Sequence, residues 1–497
     1  MPGRLIIAID QGTTSSRVVV IDENGIPIDS AAAEFQQHYP HAGWVEHDPV
    51  EIWQGVRALL GKVIERAGGA DRIAAIGITN QRETTVLWDR ITGAPLHNAI
   101  VWQDRRTADL CRTLRDEGLG DHVQARTGLV IDPYFSATKL AWLLDNIDGA
   151  RDRAVRGELC FGTVDSWLIW NLTGGRCHLT DVSNAARTMA FDIHKLEWDD
   201  AILDRLGIPE QVLPQVAPSQ GSFGVTEASL VGGRVPILGV AGDQQAATFG
   251  QTCFAPGMIK STYGTGCFML ANSGATPAPS EHRLLTTIAW QRGGDITYAL
   301  EGSIFMAGAT VQWLRDQLGV IDDATQTEAL ASAADDADGV YLVPAFVGMG
   351  APYWDADARA AITGLTRGTG RAEIVRAGLE SVALQSRDLI EAMAGDMAVS
   401  SLDPPDRIRV DGGMAANNWF LQCLADQLGM PVERARFTET TALGAGYLAG
   451  LEAGVFSSLE SLANSWSADR CFDPAISEDR RESHYAGWRA AVRRVLN

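Results

Sequence analysis

Three apolar runs in this chain each end on an aspartate beside glycine. They are Leu5–Ile9 before Asp10-Gln-Gly12, Ile237–Gly242 before Asp243, and Arg407–Val410 before Asp411-Gly412-Gly413. A short apolar run bounded by turn residues suits a buried strand. In α/β sheets, ligands gather beyond the carboxyl ends of the strands. One such end is explained by turn chemistry alone, since Asp and Gly both favour turns. Three of them, two next to hydroxyl-rich glycine turns, point to a ligand cleft lined by carboxylates.

Short apolar strands alternate with longer amphipathic segments, which predicts an α/β architecture. Leu5–Ile9 and Val18–Ile21 flank a Gly-Thr turn and read as a hairpin. Ile73–Ile78 and Val235–Val240 suit buried strands. Val375, Leu379, Val382, Leu389 and Met393 recur at helical spacing within 371–394. A second helix is expected over 417–428, closed by Gly429 and Pro431. The small residues of 442–454 would let a helix pack very closely on a neighbour, at about 1 kcal/mol of propensity per glycine. The Asp-rich stretch 321–338 reads as a solvated helix and loop. The C-terminal run 488–496, with Arg489, Arg493 and Arg494, reads as a surface helix.

Gln11-Gly12-Thr13 has an echo in Tyr263-Gly264-Thr265, half a chain away. The echo predicts two halves built on one plan, with a boundary near residue 250. At ~100–200 residues per domain, a chain of 497 residues has room for both. Its net charge of −21 disfavours nonspecific adhesion to nucleic acid or anionic membranes. No apolar stretch is long enough to span a bilayer. Seven scattered cysteines without a Cys-x-x-Cys pair fit a reduced, cytoplasmic setting. His38, His41 and His47 cluster, but their neighbours lack a metal-ligand spacing, and His47 reads as part of its loop.

The turn Asp10-Gln-Gly-Thr-Thr-Ser-Ser-Arg17 carries the most chemistry. Gly12 permits a tight turn with exposed N–H groups. Thr13, Thr14 and Ser15 add hydroxyls, and Arg17 adds a fixed positive charge. Such a loop can hold phosphate oxygens. Asp10 can hold Mg²⁺ through water, since that hard cation keeps much of its hydration. The turn Ser261–Gly266 has the same character without a carboxylate. Gly412-Gly413 would let a flat ring approach the backbone. Together these parts predict a nucleotide between two halves. Walker A and the protein-kinase motifs are absent, and Gly444-Ala-Gly446-Tyr-Leu-Ala449 reads as helix packing rather than dinucleotide binding.

Further segments complete the pattern: 43–49 (Gly-Trp-Val-Glu-His-Asp-Pro), 78–84 (Ile-Thr-Asn-Gln-Arg-Glu-Thr), 100–103 (Ile-Val-Trp-Gln) and 132–136 (Asp-Pro-Tyr-Phe-Ser). So do 242–245 (Gly-Asp-Gln-Gln), 263–268 (Tyr-Gly-Thr-Gly-Cys-Phe) and 409–413 (Arg-Val-Asp-Gly-Gly). In this order they resemble the FGGY carbohydrate kinase family, and within it the members that phosphorylate glycerol. The match extends over essentially the whole chain. The resemblance implies an actin-like ATPase fold, with two ribonuclease H-like domains, 1–250 and 251–497, around a central cleft. It implies ATP and Mg²⁺ as cofactors, glycerol as acceptor, and a homodimer or homotetramer. By the same resemblance, Arg82, Glu83, Trp102, Tyr134, Asp243, Gln244 and Phe268 would meet the polyol, with Asp243 as general base. Thr13, Thr14, Ser15 and Arg17 would hold phosphates. Thr265, Gly308, Gln312, Gly413 and Asn417 would contact the nucleotide, and Asp10 and Asp243 the metal. The loop Gly232-Gly233-Arg234 is shorter than the Gly-Gly-Lys-Gly-Gly-Thr-Arg loop that binds fructose 1,6-bisphosphate in bacterial members. That regulatory site is therefore not carried over.

Overall fold

The computed structural model describes residues 4–334, 339–355 and 357–496. Two twisted sheets organise it. The first contains β1 (Leu5–Gln11), β2 (Ser15–Ile21), β3 (Pro27–Glu34), β4 (Ile73–Asn80) and β5 (Ile237–Gly242), in the order β5-β4-β1-β2-β3. The second contains β6 (Ile259–Tyr263), β7 (Cys267–Gly274), β8 (Leu285–Arg292), β9 (Asp295–Ile304), β10 (Ile408–Asp411), β11 (Val432–Ala435) and β12 (Ala468–Phe472). Its order is β8-β9-β7-β6-β10-β11-β12.

The two sheets share one plan. In the first, β1 pairs antiparallel with β2, β2 antiparallel with β3, and β4 and β5 run parallel beside β1. In the second, β6, β7, β9, β10 and β11 repeat those pairings, and β8 and β12 are added at the edges. This is the doubled ribonuclease H-like, actin-like arrangement that the resemblance implied. The echoed turns occupy the same place in each: Gly12-Thr13 joins β1 to β2, and Gly264-Thr265 joins β6 to β7.

The helices include α1 (Pro49–Arg66), α2 (Ser136–Asn146), α3 (Asp243–Gly250), α4 (Gly308–Asp316), α5 (Gln326–Ala333), α6 (Arg371–Val399), α7 (Asn418–Leu428), α8 (Thr440–Glu452) and α9 (Glu478–Val492); α5 to α9 fall on or across the expected stretches. Asn417 caps α7 by accepting from the Phe420 N–H, and Gly429 closes it in the left-handed conformation. α5 covers part of the Asp-rich stretch, whose positions 335–338 lie outside the described residues. The C-terminal surface helix begins earlier than expected and ends at Val492; within it Trp488 is buried and Arg489 exposed, while Arg493 and Arg494 are exposed in the turn that follows.

α8 explains its own composition. It packs on α3 and on β1, β4 and β5, so an element late in the chain covers the first sheet. One cluster spans the contact, with Ile6, Ala8 and Val19 on one side, Leu270, Ala289 and Ala299 on the other, and Phe249 and Leu448 between. A Cβ on Gly444 would fall inside contact distance of the Ala246 carbonyl. Gly444 and Gly446 thus serve helix packing, against the Ala246 carbonyl and the Ile21 side chain.

Candidate active site

All three strand-end aspartates lie where the sequence placed them. Asp10 is the penultimate residue of β1, Asp243 opens α3 directly after β5, and Asp411 ends β10. Their side chains differ in use. Asp411 accepts from Gln251 Nε2 (2.7 Å) and Thr440 Oγ1 (2.5 Å), so it anchors α8. Asp10 and Asp243 interact with one another. Burial, then the Asp243 charge, pushes the Asp10 carboxyl up to about 7, against the pull of Arg17. Burial also raises Asp243, opposed by Arg82 and Lys260.

The residues expected to meet the polyol converge around Asp243. Arg82 Nε lies 3.2 Å from Asp243 Oδ1. Arg82 Nη2 donates to the Tyr134 hydroxyl (3.5 Å). Trp102 meets Tyr134 and Phe268 edge to face, with ring centroids 5.7 and 6.1 Å apart. Arg82 also lies over the Phe268 ring at 5.8 Å. Glu83 is 1% exposed and has φ of +61°, unusual for a residue with a side chain. Such strain, of order 1–3 kcal/mol, concentrates at functional sites. The sequence alone reads an isolated Glu as a surface charge; here it is interior. Gln244 is buried beside Asp243, and its Oε1 accepts from Lys260 Nζ (2.5 Å).

The phosphate turn opens directly onto this set, because Trp102 Nε1 donates to Thr13 Oγ1 (3.0 Å). The Gly12 N–H donates to Ser15 O (2.9 Å), closing the hairpin, and Thr14 is exposed at its tip. Arg17 pairs with Glu439 at 3.1 Å, linking the hairpin to the approach to α8.

The expected nucleotide residues gather on the second sheet. The Gly308 N–H donates to Gly264 O (2.9 Å) and the Ala309 N–H to Thr265 O (3.0 Å), which docks the start of α4 on the β6–β7 turn. Gly412, with φ of +89°, passes so close to Tyr263 that a Cβ would lie 2.5 Å from its carbonyl oxygen. Gly413 beside it faces open space. Thr265, Gln312 and Gly413 are exposed, and Asn417 donates to Thr327 Oγ1 (3.1 Å).

Three charged residues escaped the sequence reading. Glu301 on β9 is fully buried and pairs with Arg82 (2.5 Å) and Arg187 (2.9 Å). Arg187 also pairs with Glu83 (2.7 Å). Lys260 on β6 is buried between the Asp243 and Asp411 charges, and burial lowers its pKa. The available signal was a lone Glu inside the apolar run 298–304. His47 makes no metal site. Gln37 Oε1 lies 2.6 Å from its Nε2, and Gln81 Nε2 lies 3.3 Å from its Nδ1, which suits a neutral ring. Among the described residues no group of three or more His, Cys, Asp or Glu is placed to hold a metal ion.

A doubled ribonuclease H-like fold with a hydroxyl-rich hairpin in each half and a half-buried carboxylate at the end of β5 is the frame of a kinase-type nucleotide cleft. The chain belongs to the FGGY family of carbohydrate kinases: the N-terminal domain of that family matches residues 5–250 and the C-terminal domain residues 259–453. It is 57% identical to the glycerol kinase of Ectopseudomonas mendocina and 55% identical to that of Caldanaerobacter subterraneus, each over 99% of both chains. A crystal structure of Plasmodium falciparum glycerol kinase with ADP superposes with a TM-score of 0.92 at 37% identity, covering 100% of this chain and 99% of that one. A xylulose kinase from Lactobacillus acidophilus shares the fold, with a TM-score of 0.88 at 22% identity and 98% coverage of both chains.

Proposed function

We propose that this protein is an ATP-dependent phosphotransferase that converts glycerol and MgATP to sn-glycerol 3-phosphate and MgADP. The observation that carries the proposal is the cluster of Arg82, Glu83, Trp102, Tyr134 and Phe268 around Asp243, beside the Thr13 hairpin. Glycerol offers three hydroxyls on three carbons. Arg82, Glu83, Tyr134 and Asp243 supply polar partners, and the Trp102 and Phe268 rings cover the carbons. Gln244 lies behind the base.

In this reading Asp243 accepts the proton of the attacking hydroxyl as the γ-phosphoryl group transfers. Thr13, Thr14, Ser15 and Arg17 hold the phosphates, and Thr265, Gly308, Gln312, Gly413 and Asn417 hold the nucleoside. The donor set fits Mg²⁺: two half-buried carboxylates, Asp10 and Asp243, whose charges oppose one another at Asp10, are relieved by a divalent cation. Held there largely through water, the ion would neutralise phosphate charge. Most of the rate comes from positioning and exclusion of water.

We assign residues 1–250 to a polyol- and phosphate-binding domain and 251–497 to a nucleotide-binding domain. Among the described residues no helix is long and apolar enough to cross a membrane. With scattered free cysteines, this supports a cytoplasmic enzyme. Family precedent supports a homodimer or homotetramer, which sedimentation would test. A substrate panel tests the acceptor: glycerol should outpace every ketose, and faster phosphorylation of a pentulose would assign a different FGGY activity.

A further inference from the structure

We infer that Glu301 is a positioning residue for polyol recognition: a carboxylate on β9 of the second sheet that fixes Arg82 directly and Glu83 through Arg187. This inference rests on the glycerol assignment above. Arg82 Nη1 donates to Glu301 Oε2 (2.5 Å) and Nη2 to Oε1 (3.0 Å). This fork sets the plane of the guanidinium. Arg187 Nη2 donates to the same Oε1 (2.9 Å), and its Nε donates to Glu83 Oε1 (2.7 Å). The Arg187 guanidinium also lies over the Tyr134 ring at 5.6 Å and the Phe135 ring at 5.3 Å. Arg82, Glu83 and Tyr134, three of the groups expected to meet hydroxyls, are therefore all held by one Glu301–Arg187 unit.

The location argues for this role over plain stability. In sheet register Glu301 lies opposite Leu270 on one side and Leu285 on the other. A carboxylate there must be desolvated, and a buried ion pair is a weak stabiliser compared with packed apolar side chains. What the pair supplies is geometry. With Glu301 holding both terminal nitrogens of Arg82, its Nε is directed at Asp243 (3.2 Å). The unit also joins the halves, because Glu301 belongs to the second sheet while Arg82, Glu83 and Arg187 belong to the first half of the chain. The polyol pocket is thus set from the nucleotide side of the cleft.

The test is a double-mutant cycle in the full-length protein. KM for glycerol and for ATP are read by ADP release, with the thermal midpoint alongside. Wild-type turnover with glycerol comes first; its absence would overturn the acceptor assignment, before Glu301 is addressed. Given that turnover, Glu301→Gln should raise KM for glycerol about tenfold or more and leave KM for ATP within about twofold. Added to Arg82→Lys, it should raise KM for glycerol by a smaller factor than it does alone, since one of its two routes, through Arg82, is already lost while the route through Arg187 remains. If Glu301→Gln does not fold, Glu301→Asp carries the same test, because it keeps the charge but is too short to reach both arginines. An unchanged KM for glycerol, an equal rise in both KM values, or fully multiplicative losses in the double variant would overturn the positioning role.

Discussion

Asp243 opens α3 with its carboxylate between Arg82 and the N–H of Gln244, which donates to Oδ1 at 2.7 Å. Removing its charge while keeping its shape isolates the proton-accepting role. Asp243→Asn should lower kcat by about 10²–10⁴-fold with the thermal midpoint nearly unchanged; near-normal kcat would remove Asp243 as base. Arg17 tests the phosphate hairpin. Arg17→Ala should raise KM for ATP by about tenfold while KM for glycerol stays within about twofold. An equal rise in both would mean that the residue acts through its pair with Glu439 and the docking of α8. At this scale the sequence was legible where residues sat in motifs. Arg82, Trp102, Tyr134 and Phe268, named together from their motifs, do lie in contact in the fold. Glu301, Arg187 and Lys260 could not, because a charged side chain defaults to the surface and only tertiary pairing makes its burial tolerable. Asp411 looked like a cleft carboxylate by its pattern, yet hydrogen bonds from distant Gln251 and Thr440 make it an anchor.

The elements were legible where the apolar period was clean. The β1–β2 hairpin, β4, β5, α6 and α7 follow directly from spacing and end residues. What spacing cannot give is the partner of each face. The small residues of α8 predicted close packing, but only the fold shows that they meet α3 and the first sheet. Gly444 faces the Ala246 carbonyl, and Gly250 of α3 faces the Thr440 carbonyl, so each helix presents a glycine to the other's backbone. Gly444→Ala gains helix propensity and still should destabilise, because carbonyl backbone cannot yield as a side chain does. The expected cost is about 3 kcal/mol, at the upper end for overpacking. Chemical denaturation would measure it, and a neutral or stabilising effect would contradict this account of the helix crossing.

For the whole molecule, the three-residue echo marked a real repeat of the fold, although it was too short to fix the strand order or the two added edge strands. Global stability carries its own pH signature. Burial pushes the His47 ring down to about 3 and the His178 ring down to about 4. The folded state therefore holds these rings neutral while the unfolded chain protonates near 6.5. Their contribution is present above pH 6.5 and is lost as pH falls through the depressed values. The thermal midpoint should fall as pH drops from 6.5 to 4, and His178→Gln should shallow that slope; an unchanged slope would contradict the neutral ring. The central claim concerns the cleft between the halves, and ADP release by the purified protein with MgATP, with and without glycerol, tests it most directly. The account predicts slow release without an acceptor and a rise of orders of magnitude with glycerol. Rapid release without any acceptor, or no response to glycerol, would contradict it.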